Sequence, residues 1–228
     1  MLQPIGSDIW MTTGETLDVM GFHYPTRAIL IRLSDGSLFF WSPVTLTRDL
    51  KTAIDTLGPV TQLVAPNSLH HLALSDWQSA YPDAKLHGTA ALRQKRPDLR
   101  FDATLGAKAD AAWQDVIEQV VLENRITTEV VFYHKPSRST IFTDILQQFP
   151  PGFHTGWRAL VARLDLMTGT RPQVPRKFRL GFTSRRATRD RIGQIQNWPT
   201  DNLIIAHGDP VLGDGQTALD NAFAWLMK

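Results

Sequence analysis

Apolar positions along this chain recur in two rhythms. Short continuous or alternating runs are interleaved with stretches spaced every three or four residues, which predicts strands and helices in alternation. Strands are expected at 8–11, 17–20, 26–33 and 37–41, the last two joined by the turn signal Ser34-Asp35-Gly36, so the chain opens as antiparallel sheet. Residues 47–57 carry apolar side chains at helical spacing, with Thr45 or Thr47 to cap the start and Gly58-Pro59 to stop it. A strand over 60–65 then delivers the chain to Pro66-Asn67-Ser68-Leu69-His70-His71. A helix at 72–80, a short strand at 85–87 and a helix at 90–95 follow. The Val- and Ile-rich segments 116–122 and 129–133 read as strands. Pro136-Ser137-Arg138 turns the chain into a strand at 139–142 that ends on Thr143-Asp144. Helical patterns at 156–167 and 188–196, a strand at 202–206 and a helix at 217–227 complete the pattern, with a loop around 171–175. No fixed-period repeat or low-complexity segment interrupts it.

Composition narrows the class. At 228 residues the chain is long enough to bury a substantial core, and it reads as a single domain over 1–228. Hydrophobic content of 43%, with seven Trp and eleven Phe, marks a globular protein. No run approaches the roughly eighteen consecutive apolar residues of a membrane helix, and the first residues lack a basic-then-apolar leader, so the expectation is a cytoplasmic protein with no membrane partner. The absence of cysteine excludes disulfides, thiolate nucleophiles, zinc ribbons and iron–sulfur clusters, so any metal must be held by His, Asp or Glu.

Three strand ends carry residues able to hold one: His70-His71, Asp144, and His207 in Ala206-His207-Gly208-Asp209-Pro210. A strand fixes position while the following loop leaves the side chain open to a ligand. Imidazole and carboxylate together suit zinc, iron or manganese. Each residue also has an ordinary structural reading. One of the adjacent histidines can open a helix while the other faces solvent, Asn67 reads as a helix cap, Asp144 can cap the turn after it, and His207 sits in a turn-forming run.

The order of elements, with a hairpin, a helix, a strand ending in a histidine-rich loop, an "FTD" strand end and a late "HGDP" segment, resembles the metallo-β-lactamase superfamily. The resemblance spans nearly the whole chain. It implies an α/β fold, a four-layer αββα sandwich of two mixed β-sheets with helices on the outer faces. It also implies a metal-dependent hydrolase. Laid on the family's H-x-H-x-D-H motif, the final histidine falls on His71 and the aspartate on His70; the later bridging aspartate falls on Asp144 and the last histidine on His207. The motif's two leading histidines fall on Pro66 and Ser68, no histidine lies between His87 and His134 to serve as the middle one, and Trp41-Ser42-Pro43 stands where the family has an early D-x-G. Three usual ligands of one metal position are therefore missing, and those that remain belong to the other.

The implied site is mononuclear, with one divalent metal (zinc, iron or manganese) on His71, Asp144 and His207, aided by His70 or His134. Of the adjacent pair, His71 is favoured by the register, since neighbouring residues rarely face the same way. The substrate implied is a small ester, thioester, lactone or phosphoester. The alternative is a non-catalytic binding or interaction protein of the same fold that lacks metal; the partner expected in either case is a small-molecule ligand. A basic cluster from Arg176 to Arg191 is either solvated surface or an anion-binding rim at Arg185, Arg186 and Arg189, where Thr183 or Ser184 caps a helix. Only Phe178 and Phe182 interleave with these cations and the net charge is just +2, which argues against nucleic acid.

Overall fold

The structure is a computed structural model that describes residues 1–228. Its first half contains β1 (Gln3–Gly6), β2 (Ile9–Val19), β3 (Phe22–Arg32), β4 (Leu38–Trp41), α1 (Arg48–Asp55), β5 (Val60–Ala65), α2 (Leu74–Ala80), β6 (Lys85–Gly88), α3 (Ala90–Lys95) and β7 (Ala103–Thr104). The second half contains β8 (Ile117–Leu122), β9 (Glu129–His134), β10 (Ser139–Gln147), α4 (Gly156–Leu164), α5 (Arg176–Gly181), α6 (Arg185–Gln196), β11 (Asn202–His207), β12 (Val211–Leu212) and α7 (Gly215–Met227). The first seven strands form one sheet in sequence order, antiparallel from β1 to β4 and parallel from β4 to β7. The other five form a second sheet, ordered β12-β11-β10-β9-β8, whose only parallel pair is β10 with β11.

Three apolar layers hold four structural layers together, as expected of an αββα sandwich. Along β3 the side chains alternate. Ile29 and Ile31 join Phe39, Trp41, Phe132 and Ile204 between the sheets, while Ala28 and Leu30 join Phe40, Leu74 and Trp77 beneath the helices on the first sheet's outer face. A strand buried on both faces has no polar side, which is why 28–31 reads as an unbroken apolar run. The third layer packs α5, α6 and α7 on the second sheet through Phe178, Ile192 and Phe223. Hydroxyl caps start several helices: Thr47 accepts from the Leu50 amide at 3.2 Å and Ser184 from Ala187 at 3.3 Å.

The segments 8–11 and 17–20 are not separate strands. They are parts of β2, whose pairing with β3 shifts register between Thr13 and Thr16, so the polar stretch between them is a bulge. Beyond that bulge the β2–β3 hairpin continues to Val19 and Phe22, well past the end of β4, and stands free of the sheet as one wall of a cavity. The sequence pattern did not reveal β1 or α5, and β10 runs five residues further than expected, through Asp144 to Gln147.

Candidate functional site

The C-terminal ends of β5, β10 and β11 open on the same edge of the sandwich. After β5, Asn67 makes the decisive local turn: its Oδ1 accepts from the amides of Leu69 at 2.8 Å and His70 at 3.1 Å. That turn aims His70 inward. Its Nε2 lies 3.2 Å from Asp144 Oδ2, and its Nδ1 meets Ser42 Oγ at 2.7 Å.

Asp144 arrives through a disruption of the ladder. Between the pairs Phe142–Ile205 and Gln147–His207, five residue steps on β10 answer two on β11, so the chain bulges outward around Asp144. Three backbone amides stranded by this excursion, those of Thr143, Asp144 and Ile145, donate to the carboxylate of Glu129 at 2.7, 2.8 and 3.0 Å. Glu129 is fully buried. Burial first, and the nearby Asp144 charge second, push its carboxyl up to about 7, while the backbone donors pull the other way. Asn67 completes the seat, donating from Nδ2 to Asp144 Oδ2 at 2.6 Å and Thr143 Oγ1 at 3.2 Å.

His207 ends β11. Its Nδ1 lies 2.8 Å from the carbonyl oxygen of Pro25, which can only accept, so Nδ1 carries a hydrogen there and Nε2 faces Asp144 Oδ1, 3.3 Å away. From β3, the buried Arg27 guanidinium donates to the carbonyls of Ile205 and Gly208 and clamps the chain on both sides of His207. Gly208 is required there: its φ is +137°, and a Cβ would stand 2.2 Å from the Gln148 carbonyl oxygen.

One ligand atom each from His70, Asp144 and His207 thus fall within 4.8 Å of one another, with side chains under a tenth exposed. Burial opposes ionisation of Asp144, but His70 and His207 outweigh it and hold the carboxyl well below the usual range. Each carboxylate oxygen of Asp144 faces one imidazole, Oδ2 that of His70 at 3.2 Å and Oδ1 that of His207 at 3.3 Å, a carboxylate-and-imidazole set of the kind that holds zinc, iron or manganese. Both imidazoles also have the outer hydrogen-bond partner on Nδ1 that orients metal-ligating histidines. The donor set fits one divalent ion.

Other expected residues lie elsewhere. His71 turns away from the cluster: its Nδ1 and carbonyl oxygen accept from Arg96 at 3.1 and 3.0 Å, and burial, followed by Lys95 and Arg96, pushes its pKa down to about 4. His70, placed by the resemblance in the aspartate's position, takes the inward place instead. His134 sits at the far end of β9 from Glu129, five residues or roughly 16 Å along a strand, and bonds Ser137 Oγ. Arg185, Arg186 and Arg189 lie exposed along α6, behind the second sheet, and none lines the cavity over the histidines. Ser184 does cap that helix, but Arg189 donates to the carbonyls of Leu226 and Lys228 at the end of α7. Pro66 and Ser68 present no imidazole, and Ser68 Oγ bonds Thr127 Oγ1 at 3.0 Å.

Residues 7–157 match the family model described as "Domain of unknown function (DUF4336)". The chain belongs to this family. The matched stretch carries His70, Glu129 and Asp144, whereas His207 lies beyond it. No curated protein matches this DUF4336 sequence. Among solved structures it is similar to a metallo-β-lactamase from Pontibacter korlensis, at 13% identity over 100% of this chain and 99% of that one, with a TM-score of 0.66. A metallo-β-lactamase from Hirschia baltica gives 14% identity over 100% and 97%, with a TM-score of 0.63. The metal-soaked Flv1 flavodiiron core from Synechocystis sp. PCC6803 gives 11% identity over 99% of this chain and 60% of that one, with a TM-score of 0.68. The fold is that of the metallo-β-lactamase superfamily, and no helix in it is long and apolar enough to cross a membrane.

Proposed function

We propose that this DUF4336 protein is a metal-dependent hydrolase with a single metal position formed by His70, Asp144 and His207, acting on a small ester, thioester, lactone or phosphoester. The observation that carries the reading is the contact between His207 Nε2 and Asp144. With Nδ1–H committed to the Pro25 carbonyl, His207 Nε2 faces the carboxylate across 3.3 Å, a gap that a proton or a divalent cation bridges. A divalent ion held there supplies Lewis-acid chemistry, polarising a substrate oxygen and lowering the pKa of water towards neutrality. Around it, Asn67 and Glu129 hold Asp144, Ser42 orients His70, and Arg27 fixes the His207 loop.

A second reading, a binding protein of the same fold without turnover, is favoured by Pro66 and Ser68 and by the histidine in place of the family's motif aspartate. The test is hydrolysis of a panel of esters, thioesters, lactones and phosphodiesters by untagged protein, reconstituted with zinc, iron(II) or manganese. Turnover that disappears on chelation and in Asp144→Ala supports the hydrolase. Metal binding without turnover across the panel overturns it in favour of the binding protein.

A further inference from the structure

The cluster is the polar floor of a deep apolar cavity of about 840 Å³, within the size range of small-molecule sites. Its walls include the free end of the β2–β3 hairpin, the loops after β4 and β5, the segment around Ile126, and α4. Fourteen large apolar side chains are exposed in this protein, and seven of them line this one cavity. Leu72 is 64% exposed and Trp157 is 56% exposed, joined by Val19 and Met20 on the hairpin and Val161 on α4. Scattered exposed apolar residues need no explanation, but half of them ringing a single concave site do.

The helix α4 extends the surface outward. Trp157, Leu160, Val161 and Leu164 follow one another at spacings of three, one and three, so they form one stripe, and the stripe faces solvent instead of the core. It begins in the cavity wall at Trp157 and Val161 and ends at Leu164, about 10 Å of helix in all. Apart from Asp144 and the histidines, the charged side chains lining it are Asp76, Lys95, Asp165 and Lys177, two acids and two bases with no net charge. Lys177 is paired with Asp165 at 3.3 Å, and Lys95 donates to the Ser68 carbonyl at 2.9 Å. Polar chemistry is therefore concentrated at the floor and apolar surface at the walls and mouth.

We propose that this cavity binds the acyl chain of an amphipathic ester or thioester, with the polar linkage at His70, Asp144 and His207 and the chain leaving between the hairpin and α4. The proposal rests on the site assigned above and narrows its substrate to acyl compounds, while the binding it requires does not depend on metal.

The test is displacement of a solvatochromic anilinonaphthalene dye from metal-free protein by methyl butanoate, hexanoate, octanoate and dodecanoate. Affinity should rise about threefold to fourfold per added methylene. Val161→Asp and Leu72→Asp, both at partly exposed positions, should weaken dodecanoate roughly tenfold and leave butanoate nearly unchanged. Circular dichroism of each variant confirms folding, and Asp144→Ala should retain the chain-length slope. No slope in the wild-type protein, or a slope untouched in both wall variants, overturns the proposal. So does a wild-type dimer without ester binding that Val161→Asp converts to monomer, since the apolar face then serves a second copy. A slope in a protein that never takes up metal removes the hydrolase reading and leaves this one standing; metal-dependent turnover without a slope does the reverse.

Discussion

Replacing Asn67 by Asp separates two roles that this buried side chain combines. Asn67 Oδ1 accepts from the Leu69 and His70 amides and forms the turn, and an aspartate oxygen can do the same. Its Nδ2 donates to Asp144 Oδ2 at 2.6 Å, and there the substitution puts oxygen against oxygen. Unit charges at that distance repel by about 6 kcal/mol even at an effective dielectric near 20, so one carboxyl of the pair takes up a proton instead. Holding that proton costs about 1.4 kcal/mol for each pH unit above the pair's raised pKa. The lost hydrogen bond to a charged acceptor adds about 1.5–3 kcal/mol. The sign follows from linkage: a carboxyl whose folded pKa is raised destabilises as pH rises above its unfolded value of about 3.9. Asn67→Asp should therefore lose about 3 kcal/mol or more near pH 7.5, and less near pH 5, in urea unfolding of metal-free protein. Asn67→Ala, which removes all four hydrogen bonds, should lose about 3–5 kcal/mol with little dependence on pH. If Asn67→Asp matches the wild-type protein within about 0.5 kcal/mol near pH 7.5, Asn67 is a turn former only and does not hold Asp144.

Other expectations follow from the same geometry. His87 and His134 are buried away from the cluster and pushed down by burial from 6.5 to about 4, so both are neutral in the folded state. Their contribution is complete above about pH 6.5 and lost as pH falls towards 4, at most on the order of 3 kcal/mol each, and a His87→Gln, His134→Gln double variant should flatten the urea midpoint over that interval. An unchanged slope would place the acid sensitivity elsewhere. Gly208→Ala must accept both a left-handed φ and a Cβ 2.2 Å from a carbonyl oxygen; it should cost about 3 kcal/mol or more and weaken metal uptake through His207, and a neutral result would refute the tight seat described for that loop.

The fold was legible because it rests on patterns with few readings. Ala28-Ile29-Leu30-Ile31 has no polar face and so belongs between two layers, and the capping hydroxyls Thr47 and Ser184 stand where the helices start. The single strand β2 looked like two because the polar residues at its bulge imitate a loop. Before α5, Pro172 and Pro175 gave a loop signal, while the helix itself is fixed by Phe178 in the core, a tertiary contact that local pattern does not carry. At the site, Asp144 and His207 were found from strand ends and family order. The choice between His70 and His71 was not, because one Asx turn at Asn67 decides which of two adjacent rings faces inward. Glu129 was overlooked although it left a signal: it is the one carboxylate in the buried strand Glu129-Val130-Val131-Phe132-Tyr133, and a buried carboxylate needs donors.

Metal content of untagged protein, purified without added metal and then reconstituted, decides whether His70, Asp144 and His207 hold an ion when it is measured beside single alanine variants of His70, His71, Asp144 and His207. The account predicts about one divalent ion per chain, abolished in His70→Ala, Asp144→Ala and His207→Ala and retained in His71→Ala. An absence of bound metal after reconstitution would contradict it, as would loss in His71→Ala with retention in His70→Ala.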